Sequence, residues 1–288
     1  MSKEKQSSWL FGLEKFYEFL EDHDKRDFVK NIIRIIHSSD KDKAWALKRC
    51  FTTDFEKYPA ESRDGRLSIY VDTMNTGEIS HNNLFWLMST IWGDEFINKL
   101  HLLFNNSDLT VADDLFSKSQ VLSKIWMAET LYKLTHDLDN IVIFGGWYAQ
   151  HVWYLKKVGY KHVYNIDLDG ETLQKSQFIM DMDNYKAYVG NVNDVVDAEG
   201  NITLGGKQID ASLIINTSAE HMSTEWYDKL VPGQFVLIQT NDMRDMEGHV
   251  GCVDSLEDAK KKYPMRRVLF SGELALSNGK RFMLIGMK

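Results

Sequence analysis

Near residue 140 the hydrophobic pattern of this 288-residue chain changes period, and that change constrains its fold more than any other feature. Before it, apolar residues recur at helical spacing. After it come short continuous apolar runs: Ile141–Phe144, His162–Ile166, Ala187–Val189, Ala211–Ile215 and Phe235–Ile238. Longer helical segments alternate with them, at Ala149–Val158, Glu171–Met180 and Thr224–Leu230. Continuous apolar strands joined by crossover helices specify a parallel sheet covered on both faces. The end of the chain differs again. Arg267–Ala275, then Asn278-Gly279, then Arg281–Gly286 reads as an antiparallel hairpin turning at Asn-Gly. The fold class is therefore α/β: a doubly wound, mostly parallel seven-stranded sheet with a C-terminal antiparallel hairpin, preceded by an α-helical module.

The helical part is read from Phe28, Ile32, Ile35 and Ile36, and from Leu84, Leu87, Met88 and Ile91 behind a Ser80 cap. A further helix, Ala112 to about Leu134, carries Leu115, Leu122, Ile125, Trp126 and Leu131, while residues 52–78 are irregular. These patterns divide the chain into a module of residues 1–111 and a sheet domain of residues 112–288. The aromatic residues Trp9, Phe11, Trp45, Trp86, Trp92 and Trp126 fall mostly on apolar helix faces, as core packing requires. Two cysteines, Cys50 and Cys252, make no disulfide framework and point to a reducing, cytoplasmic setting. The polar start and the shortness of every apolar run predict neither a signal peptide nor a membrane span. With 34 Lys and Arg against 42 Asp and Glu, the net charge of −8 disfavours a long nucleic acid as partner.

In an open α/β sheet ligands bind outside the carboxyl ends of the strands. The first strand ends in Gly145-Gly146-Trp147-Tyr148, where glycine permits a tight turn and close backbone approach. The second ends in Asp167, some twenty residues later, the spacing of a carboxylate that accepts both hydroxyls of a ribose. The alternative is that Asp167 caps the helix starting near Glu171, with Asp169-Gly170 as its turn.

In this order of features the sequence resembles the class I S-adenosylmethionine-dependent methyltransferases over roughly residues 117–288. The order is a glycine turn, an acidic end to strand two, polar residues after strands three and four, and Pro232-Gly233 before strand five. The final hairpin fits too, because in that family a reversed seventh strand inserts beside the sixth. The resemblance implies S-adenosylmethionine as cofactor. It places Gly145, Gly146 and Trp147 near the methionine part, Asp167 on the ribose and Leu168 against adenine. Asn191 and Val192 would border the adenine ring, and Asn216 the donor sulfur. The family's usual acidic residue in the first loop is absent here, and a Trp stands in that loop. Upstream, Ser117, Gln120 and Lys124 share one helix face, where Gln120 or Lys124 could reach the methionine carboxylate; the alternative is a solvated face.

The run Ile214 to Met222 contains Glu220 and His221, both competent general bases when burial adjusts them. The resemblance places this loop before the methyl acceptor. The alternative makes Ser218 or Ser223 a cap of the helix containing Trp226. Asn241-Asp242 with Glu220 imitates an oxygen-ligand set for Mg²⁺ only weakly, so no metal is expected. The expected activity is methyl transfer to a small-molecule or protein acceptor. The helical module would serve as lid, substrate selector or homo-oligomer interface. Two alternatives stand beside this: a non-catalytic binding or assembly protein of the same fold, and an aminocarboxypropyl transferase using the same cofactor.

Overall fold

The period change at residue 140 marks the start of a parallel sheet. The computed structural model describes residues 3–19, 99, 114–180 and 182–288. The helices expected around residues 28–36 and 84–91, the irregular stretch 52–78, and Cys50, Trp45, Trp86 and Trp92 lie outside the described residues. The chain divides into two compact units, Met1–Leu122 and Ser123–Lys288.

In the first unit α1 (Lys3–Phe19) packs on the segment that leads into α2 (Lys118–Leu134). Phe16 meets Phe116 edge to face at 5.7 Å. A Cβ on Gly12 would collide with the Phe116 carbonyl, so only glycine allows this approach. The helix expected from Ala112 is interrupted at Phe116–Ser117. There the Ser117 hydroxyl accepts the Gln120 backbone N–H at 3.3 Å and so caps α2 three residues ahead.

The second unit contains, in order, β1 (Leu138–Phe144), α3 (His151–Leu155), β2 (Tyr160–Asp167), α4 (Gly170–Met180), β3 (Tyr185–Val189) and α5 (Val192–Val195). Then follow β4 (Ile202–Leu204), β5 (Lys207–Ile209), β6 (Leu213–Asn216), a 3₁₀ turn (Ala219–His221) and α6 (Glu225–Lys229). The chain ends with β7 (Phe235–Asn241), α7 (Leu256–Lys262), β8 (Arg267–Leu276) and β9 (Gly279–Met287). The main sheet has seven strands in the order β3-β2-β1-β6-β7-β9-β8. Strands β3, β2, β1, β6 and β7 run parallel, and β9 inserts antiparallel between β7 and β8. This is the topology implied by the resemblance to class I methyltransferases, with β6 and β7 as the expected fourth and fifth strands.

Two elements carried local signals that the hydrophobic period did not reveal. The β4–β5 hairpin turns on Gly205-Gly206, both at positive φ (55° and 77°), as a two-residue hairpin turn demands. Helix α7 is announced by Ser255, whose hydroxyl accepts the Asp258 N–H at 3.1 Å, and ends in three lysines that complement its dipole. The sheet is buried on both faces. Val142, Phe144, Ile214, Val236 and Ile238 pack with Trp226, Tyr227 and Tyr263, while Ile141, Ile143 and Ile215, of opposite parity, are equally inaccessible. Burial on both sides is why these strands read as unbroken apolar runs. Among the described residues, no helix is long and apolar enough to cross a membrane.

Candidate functional site

The carboxyl ends of β1 and β2 are joined by side chains of β2. Gly145 N–H donates to the Ile166 carbonyl at 2.9 Å, and the chain then turns through Gly145 (φ 63°), Trp147 (φ 52°) and Ala149 (φ 57°). Left-handed backbone at two non-glycine residues is strained and must be held from outside. Asp167 Oδ2 accepts the Trp147 N–H at 2.9 Å, and Asn165 Nδ2 donates to the Trp147 carbonyl at 3.0 Å. Asn165 is fully buried, and its amide also donates to Tyr185 Oη at 3.1 Å. Burial pushes the Tyr185 phenol up to about 12, so it stays protonated across the neutral range. A Cβ on Gly146 would collide with Asn165 Oδ1, which makes glycine obligatory there.

The two readings of Asp167 separate here. The cap of α4 is Asp169, whose Oδ1 accepts the N–H groups of Glu171 and Thr172, each at 3.1 Å. Those bonds, led by the one from the Thr172 hydroxyl, hold the Asp169 carboxyl below its usual range. Asp167 is not the cap. Its Oδ1 takes only the Asp169 N–H at 3.1 Å, leaving acceptor capacity on both oxygens. Beside it Leu168 is 71% exposed and Val189, its neighbour across the β2–β3 register, 68% exposed. A carboxylate between two bare aliphatic side chains presents the mixed surface that a ribose with an attached base would cover.

A second polar cluster lies at the ends of β6 and β7. Lys124, on α2, is buried, and its Nζ donates to Thr217 Oγ1 at 2.8 Å. His151, at the start of α3, meets the same hydroxyl through Nε2 at 2.6 Å. Arg281, the third residue of β9, donates to the Thr217 carbonyl at 3.0 Å and lies 3.7 Å from Glu220 Oε1. Asn241, which ends β7, donates to that same oxygen at 2.6 Å. Burial, then the charge of Arg281, holds the Lys124 ammonium well below its ordinary value, while Glu220 pulls the other way. Burial, with Lys124 and Arg281 beside it, likewise keeps His151 neutral. Two cationic side chains thus share one carboxylate. Among the described residues, Glu220 Oε2, Arg281 Nε and His151 Nδ1 are buried without a hydrogen-bond partner. They are three of eight such atoms among the described residues, and these three lie together in this cluster.

The sequence-derived candidates fall in several places. Glu220 belongs to the second cluster, and neither serine of its loop caps α6. Ser218 Oγ donates to the Gly145 carbonyl at 3.0 Å, and Ser223 Oγ accepts from Asn193 at 3.1 Å. The backbone N–H of Trp226, in the first turn of α6, goes instead to Asn193 Oδ1 at 2.9 Å. His221 is exposed, with Nδ1 3.1 Å from the Gly248 carbonyl. Asn216 is fully buried; its Oδ1 accepts the Ser218 N–H and its Nδ2 lies 3.0 Å from Met222 Sδ. Asn191 is exposed and caps α5 through the Asn193 N–H, whereas the Val192 side chain enters the core. Gln120 belongs to the first unit, where its N–H meets Ser117. Lys124 is no solvated lysine. Sequence reasoning missed Thr217, His151 and Arg281 altogether; only their places just beyond a fourth strand, a glycine turn and the closing hairpin turn, respectively, could have singled them out.

No family model matches this sequence, and no curated protein matches it. Solved structures overlap it in part. The N-methyltransferase NodS from Bradyrhizobium japonicum WM9, in complex with S-adenosyl-L-homocysteine, is 10% identical over 68% of this chain and 99% of its own, with a TM-score of 0.47. A SAM-dependent methyltransferase from Aquifex aeolicus is 14% identical over 57% of this chain and 88% of its own, TM-score 0.40. TehB from Haemophilus influenzae is 15% identical over 57% of this chain and 62% of its own, TM-score 0.41. Overlaps this partial say nothing of activity. The methyltransferase-type fold rests on the strand order itself.

Proposed function

We propose that the protein binds S-adenosylmethionine at the carboxyl ends of β1, β2 and β6 and transfers its methyl group to a small-molecule or protein acceptor. The observation that carries this is Asp167: a carboxylate at the end of β2, free of capping duty, tied to the glycine turn and flanked by the bare Leu168 and Val189. Those residues fit an adenosine. Asp167 would accept the ribose hydroxyls, while the aliphatic pair covers the base. The two cations of the second cluster fit a carboxylate, and Lys124 would hold that of the cofactor's amino-acid end. Bound S-adenosylmethionine supplies an electrophilic methyl group on a sulfonium.

The chain's own part in the reaction is mostly positional. The staple from Asn165 and Asp167 to Trp147 keeps the strained turn in one shape. The orphan oxygen of Glu220 accepts a hydrogen bond or a proton from the acceptor, and His221 stands beside it as a second base. The helical module of residues 1–111 selects the acceptor or joins copies of the chain. Isothermal titration with S-adenosylmethionine tests the binding; absence of heat would sink the proposal and favour an assembly protein. Product analysis tests the chemistry. S-adenosylhomocysteine is expected, whereas methylthioadenosine would indicate aminocarboxypropyl transfer.

A further inference from the structure

The loop between β7 and α7 returns across the 3₁₀ turn that carries Glu220. Gly251 N–H donates to the Glu220 carbonyl at 2.6 Å, and Val253 N–H returns to the Asn241 carbonyl at 2.9 Å. Gly251 is needed for this approach, because a Cβ there would sit 3.0 Å from the Ala219 carbonyl and 3.1 Å from that of Glu220. The clamp brings His249, 28 positions along the chain, against His221, with ring centroids 4.5 Å apart. One carboxylate oxygen of Glu220 and one nitrogen of each imidazole then lie within 4.8 Å of one another. Among the described residues this is the one group of His, Cys, Asp and Glu with such a geometry.

Two further features suit a cation. Glu220 is only 2% exposed, yet its Oε2 has no partner, so a buried anionic oxygen awaits one. The Gly248 carbonyl can only accept, so His221 donates to it through Nδ1, which leaves Nε2 as the ring nitrogen not engaged by that carbonyl. A metal-ligating histidine is ordinarily oriented by this kind of carbonyl contact.

We infer that Glu220, His221 and His249 form a site for a first-row divalent cation of the zinc type. Two imidazoles and one carboxylate select such an ion over Mg²⁺, which prefers oxygen ligands. Tetrahedral ligation brings ligand atoms to about 3.4 Å from one another, given metal–nitrogen bonds of about 2.1 Å. The three ligand atoms, within 4.8 Å of one another here, draw to that spacing as the ion binds. Three protein ligands leave a position open for an oxygen-bearing molecule. The site shares Glu220 and His221 with the methyl-transfer reading, but none of its geometry depends on the cofactor.

The test uses the full chain after chelation, titrated with Co²⁺ chloride and followed by its visible ligand-field absorption, with Zn²⁺ as competitor and no S-adenosylmethionine present. One equivalent should bind with the intense absorption of low coordination number, Zn²⁺ should displace it, and Mg²⁺ should not. His249→Asn and His221→Asn should each weaken binding at least tenfold. These side chains lie outside the core, so circular dichroism should show both variants folded, while Glu220→Gln provides a third reading if it folds. Equal affinity in wild type and both histidine variants, displacement by Mg²⁺, or no binding at millimolar Co²⁺ would each overturn the inference. Cofactor titration of the same chelated protein is a separate result, so failure of either reading leaves the other standing.

Discussion

Replacing Lys124 with Met should stabilise the protein while removing affinity for the cofactor. The ammonium is buried beside Arg281, and desolvating a charge costs several kcal/mol even after relaxation. Against that stand one charge-assisted hydrogen bond to Thr217, about 1.5–3 kcal/mol, and the attraction of Glu220. Losing Lys124 leaves no naked charge, because Glu220 keeps Arg281 and Asn241, and Thr217 keeps His151. Methionine has nearly the same length and no charge to desolvate, so a gain of about 1–3 kcal/mol is expected. That corresponds to a melting temperature raised by roughly 2–8 °C. The pH dependence carries the sign. The folded-state pKa of Lys124 is depressed, so below about 10.5 the unfolded chain holds a proton that the folded chain binds less readily. Wild type therefore gains stability as pH rises toward 10, and the advantage of Lys124→Met should shrink over that range. Thermal melts by circular dichroism at pH 7 and pH 9.5 decide it. A variant that melts more than about 4 °C lower at pH 7, or an advantage that grows with pH, would refute the reasoning and make Lys124 a net anchor of the fold.

Asp167→Ala should weaken S-adenosylmethionine binding at least tenfold by calorimetry, since the ribose loses a charged acceptor; unchanged affinity would remove Asp167 from the site. Gly146→Ala should destabilise by about 1–3 kcal/mol, because the new methyl meets Asn165 Oδ1 and Ile143; a melt equal to wild type would show that Asn165 moves aside freely. His151 is held neutral in the folded state, so wild type should lose up to about 1.4 kcal/mol of stability per pH unit as pH falls below about 6.5. His151→Gln should flatten that slope, and identical acid limbs would count against it. His221→Ala and Glu220→Gln should slow single-turnover methyl transfer, on the order of 10²-fold or more for a lost base, with cofactor affinity retained. Normal turnover in both would confine that loop to a structural role.

The sequence by itself determined the class of fold and, through it, the strand ends at which a ligand is to be sought. Continuous apolar runs fit strands covered on both faces, and Ser277-Asn278-Gly279 announced the closing hairpin, whose turn falls on Ser277-Asn278 and not on Asn278-Gly279. The glycine turn and Asp167 were legible because their demands are local: a backbone needing glycine, and a carboxylate at a strand end. Sequence left open whether Asp167 meets a ribose or caps α4, with Asp169-Gly170 read as the turn, and only the hydrogen bonds give the cap to Asp169. It likewise left Lys124 open as a solvated side chain, because burial of a helix face depends on what packs against it. Thr217, His151 and Arg281 come from three separate elements and meet only when β9 inserts beside β7 and α3 follows its turn. His249 joins Glu220 and His221 only because Gly251 lets one loop lie against another. Periodicity records which side of an element is buried. Convergence of polar groups across many residues of chain is set by strand order and loop closure, which tertiary structure alone decided.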